Sequence, residues 1–237
     1  MSIENEFNFV PFHISYLKDE LDSLVNSRND LSTEADFLVK ERIPNFYTIG
    51  MTTYKDGYTN LDREKVAISN SVLRSIFRPL YDFQLYFFED ILKEKVKYMA
   101  GMPLPGFHYF KYCEDFTFPL ARPHVDVPFN KYDWGSKVEQ GSIFSCLIPI
   151  NLPKEAGMYA WDLTASDMAA RGAEAVISEA RDTIPPHFIP HKVDRACIHS
   201  GKRVHMIKPF EIDDEGSTRV TMQSHAVFLN GCWQLYW

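Results

Sequence analysis

The sequence predicts an α+β protein in which N-terminal helices support a mainly β core, and two patterns predict it. Hydrophobic residues in the first hundred positions recur at the three- and four-residue intervals of amphipathic helices. From Gly106 onward, short runs rich in β-branched and aromatic residues alternate with Pro, Gly and Asp. The 237 residues, 45% of them hydrophobic, are enough to bury a full core. We therefore expect a single domain, residues 1–237.

The N-terminal region, residues 1–100, is predicted to be a mostly helical scaffold. Helical periodicity occurs at four places: 14–25, 33–43, 62–77 and 80–98. The last two are separated at Pro79, because proline lacks a backbone donor and restricts the residue before it. Between these helices, the stretch 49–58 mixes β-formers with turn residues. There we expect a strand and a loop that reaches over the mouth of a site.

The region 106–237 is predicted to be the β core. Its β-like runs are 106–113, 122–128, 142–150, 157–162, 194–199, 203–210 and 218–229. Such spacing is typical of a jelly roll or double-stranded β-helix, the cupin-like architecture in which two small sheets face each other. An Ala-rich segment predicts a helical insertion near 165–181.

Composition limits the function classes. The net charge is −7 and no Lys/Arg run occurs, which argues against a nucleic-acid-binding protein and favours a small-molecule or protein substrate. The chain has no apolar run of about eighteen residues, and its start is acidic, so we expect neither a membrane span nor a signal peptide. A cytoplasmic protein is the default expectation. The four cysteines form no Cys-x-x-Cys pair, and the sequence leaves the oligomeric state open.

The segment His124-Val125-Asp126 predicts two metal ligands on one strand. Residues two apart on a strand point to the same side, so His124 and Asp126 can reach one ion together. We expect His205 to be the third ligand, with His199, which precedes a predicted turn, as its main rival. Two imidazoles and one carboxylate hold a non-haem Fe(II) on one face and leave its other positions open. The alternative is that these imidazoles only make structural hydrogen bonds.

A second pattern, Arg219-Val220-Thr221, predicts an anion-binding pair on one strand. A planar guanidinium matches a carboxylate through two parallel hydrogen bonds, and the hydroxyl of Thr221 can add a third. The pair could therefore bind the remote carboxylate of a keto acid. The alternative partner of Arg219 is the acidic loop 211–215 that precedes it.

In these elements the chain resembles the Fe(II)/2-oxoglutarate-dependent oxygenase family. The resemblance covers roughly residues 106 to 230 and is carried by His124-Val125-Asp126, the run 142–150 leading to 157–161, His205, and Arg219-Val220-Thr221. It implies that His124, Asp126 and His205 hold Fe(II), while 2-oxoglutarate and O₂ occupy the remaining positions. The usual reaction of the family hydroxylates a substrate and releases succinate and CO₂. Because a carboxylate stands at position 126, the chain does not resemble the halogenating members.

Further site residues are expected from position. Tyr112 resembles the tyrosine that often contacts the cosubstrate in this family, and Tyr109 competes with it for that role. The residues expected to flank the substrate are Arg122, Asp133, Trp134, Trp161 and His225.

The predicted substrate is a small molecule such as a free amino acid or a natural-product intermediate. Two other functions stay open at this point. One is a cupin-like hydrolase or isomerase that uses zinc or manganese without a keto acid. The other is a non-catalytic ligand-binding protein on the same β framework.

Overall fold

A computed structural model describes residues 5–8, 14–27, 37–57, 61–111, 113–119, 121–126, 138, 143–193, 195–210 and 218–237. Within these residues the predicted α+β class is confirmed, with a mainly β core and supporting N-terminal helices. None of the described helices is long and apolar enough to cross a membrane.

The N-terminal elements combine helices with short strands. In chain order they are β1 (Asn5–Asn8), α1 (Ile14–Asn26), β2 (Val39–Ile43), β3 (Phe46–Ile49), α2 (Thr53–Asp56), α3 (Arg63–Leu92) and β4 (Val96–Tyr98). The later elements are β5 (Gly106–Lys111), β6 (Ile143–Asn151), β7 (Gly157–Thr164), α4 (Ala165–Arg171), α5 (Ala173–Asp182), β8 (His187–Pro190), β9 (Arg195–His199), β10 (Arg203–Ile207), β11 (Thr218–Leu229) and β12 (Cys232–Tyr236).

Two sheets form the core. The larger has the strand order β1-β9-β6-β11-β5-β3-β2, with β12 added beside β11 and β4 parallel to β12. The smaller has the order β10-β7-β8. Met158 and Ile189 of the smaller sheet pack with Cys197 and Leu147 of the larger sheet, so the two sheets face each other. Strand β11 lies between β5 and β6, and the alternate side chains of this central strand enter the space between the sheets.

The other face of the larger sheet packs on α1 and α3. Rings on α3 contact rings on central strands: Phe77 lies 5.0 Å from Phe107, and Phe88 lies 5.2 Å from Phe144, between ring centroids. The aromatic residues of this helix are therefore core, as a helix covering a sheet requires. Residues 62–98 form one kinked helix and a short strand instead of two helices. Pro79 lies inside α3, and the non-helical backbone of Phe77 marks the kink.

Several predicted elements are wrong in the described residues. Residues 39–43, expected as part of a helix, form β2, because Val39 and its neighbours pair with β3. Residues 96–98 form β4 because they pair with β12. Around His124 there is a single bridge to His205 instead of the strand predicted over 122–128. The predicted helical insertion is divided at Gly172 into two helices. Strands β8 and β12 were not predicted.

The packing of α3 on the sheet can be tested with two aromatic truncations. Phe88→Ala should lower the free energy of unfolding by about 3–5 kcal/mol, because it opens a cavity between helix and sheet. Tyr86→Ala, at a side chain that is 68% exposed, should change it by no more than about 0.5 kcal/mol. Urea denaturation measures both values, and equal effects would contradict the described packing.

Candidate metal and anion-binding site

Backbone hydrogen bonds join the predicted metal ligands. His124 N–H donates to the His205 carbonyl and His205 N–H donates to the His124 carbonyl, each at 2.9 Å. Asp126 N–H donates to the carbonyl of Gly201 at 2.7 Å. These three bonds hold the irregular segment 124–126 against β10 and the turn that precedes it. The ligand-bearing backbones are therefore fixed although no strand forms at 125–126.

The three side chains converge on one point. His205 Nε2 lies 3.4 Å from Asp126 Oδ2, and His124 Nε2 lies 3.8 Å from Asp126 Oδ1. One ligand atom from each residue lies within 4.8 Å of the other two. Such mutual distances suit three ligands that share one ion, since metal–ligand bonds to N and O measure about 2.0–2.2 Å.

Hydrogen bonds fix the imidazole tautomers in the form that a metal requires. Nδ1 of His124 lies 3.0 Å from the Arg122 carbonyl, and Nδ1 of His205 lies 2.8 Å from the Arg203 carbonyl. A carbonyl only accepts, so each Nδ1 carries the proton and each Nε2 presents its lone pair to the shared point.

His199, the rival ligand, has the opposite tautomer. Its Nδ1 accepts a hydrogen bond from the N–H of Gly201 at 3.2 Å, which leaves the proton of the neutral ring on Nε2. That Nε2 is the atom nearest Asp126, at 4.0 Å from Oδ2. The ring therefore presents N–H instead of a lone pair to the ligand cluster. This distinction favours His205 over His199.

Burial and neighbouring charges shift the pKa values of the three candidate ligands. Burial alone would raise the pKa of Asp126, but His205 and the neighbouring imidazoles hold it well below its usual value, so the group is a carboxylate. Burial alone would lower the pKa of His205, but the Asp126 carboxylate raises it above the usual value. For His124 burial is the larger effect, and its pKa falls.

Gly201 allows the close approach that places Asp126. Its φ of +70° lies in the left-handed region, and a Cβ there would lie 2.5 Å from the backbone oxygen of Asp126. A side chain at this position would therefore be strained and would also displace the Asp126 backbone.

A cavity of about 580 Å³ lies between the sheets beside the metal ligands. His124, Asp126 and His205 line it together with Arg219 from β11. The cavity therefore joins the predicted metal site and the predicted anion-binding residue in one space.

Arg219 is buried without a complete set of partners. Its side chain is 1% exposed, and its Nε and one terminal nitrogen have no hydrogen-bond partner in the described part of the chain. The guanidinium lies 5.4 Å from the ring of Phe110 and 5.5 Å from that of Phe210. Burial lowers its pKa to about 9, so it stays protonated at neutral pH. A buried cation with free N–H donors of this kind can bind an anion in the cavity.

The other predicted residues of β11 differ in their placement. Gln223 and His225 line the cavity, as the alternation from Arg219 predicts. Thr221 is fully buried, lies outside the cavity lining, and its hydroxyl accepts a hydrogen bond from Gln223 Nε2 at 2.9 Å. The structure therefore does not bring this residue into the cavity lining, although its O–H can still donate a hydrogen bond.

The predicted cosubstrate tyrosine, Tyr112, lies outside the described residues. Its rival Tyr109 faces the helical side of the sheet, where its hydroxyl donates to Asp22 Oδ1 at 2.6 Å. His108 of the same strand instead lines the cavity and is hydrogen-bonded to the hydroxyl of Tyr54.

Two of the expected substrate residues lie away from the cavity. Arg122 is exposed and forms an ion pair with Glu174 at 2.9 Å. Trp161 is buried in a separate apolar cluster, where its Nε1–H donates to the carbonyl of Ile184. Neither belongs to the cavity lining. The structure does not bring these two side chains into the cavity, because a residue that flanks a ligand in sequence need not lie beside it. Asp133 and Trp134 lie outside the described residues.

Sequence reasoning missed several residues that line the cavity. They are Arg42, Tyr54, Lys55, His108, His191 and Trp237. For His108 a signal exists, because it pairs with Thr221 across β5 and β11 and so shares the face of Arg219. That signal is usable only once the register of the two strands is known.

The chain matches no family model and no curated protein, but it is similar to solved structures. An N-substituted L-amino acid dioxygenase from Burkholderia ambifaria AMMD aligns over 99% of this chain and 86% of its own, with 16% identity and a TM-score of 0.53. AviO1 from Streptomyces viridochromogenes Tue57 aligns over 97% and 91%, with 12% identity and a TM-score of 0.49. The first alignment shows that this chain has the fold of that dioxygenase.

Proposed function

We propose that the protein is an Fe(II)- and 2-oxoglutarate-dependent dioxygenase that hydroxylates a small molecule. One observation carries the proposal: a two-histidine, one-carboxylate cluster and an incompletely paired, buried guanidinium line the same cavity. The ligand set is the one that holds non-haem Fe(II) with positions open for a cosubstrate and O₂.

Arg219 separates this proposal from a metal-dependent hydrolase or isomerase. Burying a guanidinium without partners is costly unless a ligand supplies the missing carboxylate. A keto acid does so, because one end can chelate a metal while the distal carboxylate reaches the arginine. A reaction without such a cosubstrate gives no reason for the burial of Arg219.

Different residues would bind the iron and the keto acid. His124 and His205 would hold the iron through Nε2 and Asp126 through its carboxylate, and Arg219 would bind the distal carboxylate of the keto acid. Bound iron would supply the activation of O₂, coupled to conversion of 2-oxoglutarate to succinate and CO₂. Phe110 and Phe210 keep water from the guanidinium and so strengthen its attraction for the carboxylate.

The cavity favours a small substrate, such as a free amino acid or a natural-product intermediate. Its volume of about 580 Å³ lies in the range of small-molecule sites. Exposed Lys55 and Ile43 belong to its lining and mark its open end. A substrate that carries an acidic group would meet the Lys55 ammonium there.

Removal of a metal ligand should abolish iron binding. His124→Ala, Asp126→Ala and His205→Ala should each weaken Fe(II) binding by more than the roughly 100-fold that loss of an outer hydrogen-bond partner costs. Anaerobic titration with Fe(II) measures this, with His187→Ala, at an exposed histidine, as the control. If His199→Ala removed iron binding and His205→Ala did not, the ligand assignment would be wrong.

Iron affinity should increase as pH rises from about 6 to 8. The Asp126 carboxylate raises the pKa of His205, so below that pKa a proton occupies the Nε2 that iron needs. Below the pKa of His205, iron binding should release the proton of this residue, whereas Asp126 is already ionised and the pKa of His124 is lowered. Calorimetry in two buffers of different ionisation enthalpy counts the protons, and pH-independent affinity would contradict the expectation.

Loss of the Arg219 guanidinium should selectively weaken the binding of 2-oxoglutarate. Arg219→Leu should weaken binding of 2-oxoglutarate to the Fe(II) protein by about 1.5–3 kcal/mol or more, because a charge-assisted hydrogen bond is lost. Binding of 2-oxovalerate, which has no distal carboxylate, should change little, and Fe(II) affinity should persist. Anaerobic titrations of the chelate absorption band measure both ligands, and equal losses for the two keto acids would refute this role.

A further inference from the structure

His191 is a second buried side chain without partners in the cavity. It follows β8, and its backbone N–H donates to the carbonyl of Ala156 at 2.9 Å, which fixes its position beside the start of β7. The residue is 9% exposed and lines the cavity. Neither Nδ1 nor Nε2 has a hydrogen-bond partner among the described residues. The other cavity histidines already discussed each have at least one.

Burial makes this imidazole a neutral donor. Burial, together with the nearby charge of Arg219, lowers the pKa of His191 to about 3. A neutral ring carries one N–H, and leaving that N–H unpaired in the interior costs free energy. A ligand that brings an acceptor into the cavity would remove this cost.

Arg219 and His191 approach the cavity from different walls. Arg219 belongs to the larger sheet, whereas His191 follows the edge strand of the smaller sheet. Both side chains line the same cavity, and the guanidinium charge contributes to the lowered pKa of His191. The facing wall therefore offers a second donor to an anion that Arg219 binds in this cavity, whereas Thr221 does not line it.

We propose that His191 donates a hydrogen bond to the carboxylate that Arg219 binds. The distal carboxylate of the keto acid is then held by one charged donor and one neutral donor from facing walls of the cavity. This inference rests on the proposed function, because it concerns the same cosubstrate.

The test compares two keto acids in the Fe(II) protein without O₂, with calorimetric binding as the readout. His191→Phe should weaken 2-oxoglutarate binding by roughly tenfold to a hundredfold, as expected for a hydrogen bond to a charged group. Binding of 2-oxovalerate should stay within about twofold, because that ligand offers no distal acceptor. His191→Gln, which keeps an N–H donor, should recover most of the affinity. His187→Phe makes the same replacement at an exposed position of β8 and should change neither affinity.

The outcomes separate the two proposals. If the wild-type protein binds Fe(II) but not 2-oxoglutarate, the proposed function fails and this inference fails with it. If the wild type binds 2-oxoglutarate and His191→Phe binds it equally well, or loses both keto acids equally, only the role of His191 is overturned. Should the Phe variant not fold, His191→Met, which lacks a donor and is flexible enough to fill the space, gives the same comparison.

Discussion

The candidate metal site depends on the reciprocal backbone bridge between His124 and His205. These residues are far apart in sequence, and 124–126 forms no regular strand, yet two N–H to carbonyl bonds fix both backbones. The Nδ1 bonds to nearby carbonyls then orient the rings. Because all these bonds use backbone acceptors, the geometry of each ligand is largely independent of the other ligand side chains. The fold thus holds the three candidate ligands in place through its own hydrogen bonds.

The position of Arg219, the candidate anion-binding residue, depends on the same two facing sheets. Packed sheets lie about 10 Å apart, which leaves room for a small ligand where inward side chains do not fill the space. Arg219 enters this space from the central strand of the larger sheet, and His205 enters it from an edge strand of the smaller one. Aromatic rings beside Arg219 exclude water, so its two nitrogens without hydrogen-bond partners are costly to bury and strongly attract an anion.

Sequence patterns predicted the elements whose conformation is determined by residues close in sequence. The amphipathic helix α1 and most strands of the C-terminal core follow from periodicity, and the ligand cluster follows from the spacing of His124 and Asp126 together with a family resemblance. Strands β2 and β4 were mistaken for helix because their partners, β3 and β12, decide their conformation. Tyr54, His108 and His191 were missed because strand register and loop closure place them, and neither is readable from spacing. Thr221 shows a finer limit, because alternation places it on the face of Arg219 but the residue does not line the cavity.

The contact between Gly201 and Asp126 means that an intact ligand motif is not sufficient for a working metal centre. A chain could retain both histidines and the aspartate and still hold the carboxylate away from the imidazoles, if any larger residue replaced the glycine. Relatives that carry the three donors should therefore be sorted by whether the turn before β10 still permits a left-handed residue. We expect relatives with a bulky side chain at the position of Gly201 to keep the fold without binding a metal ion.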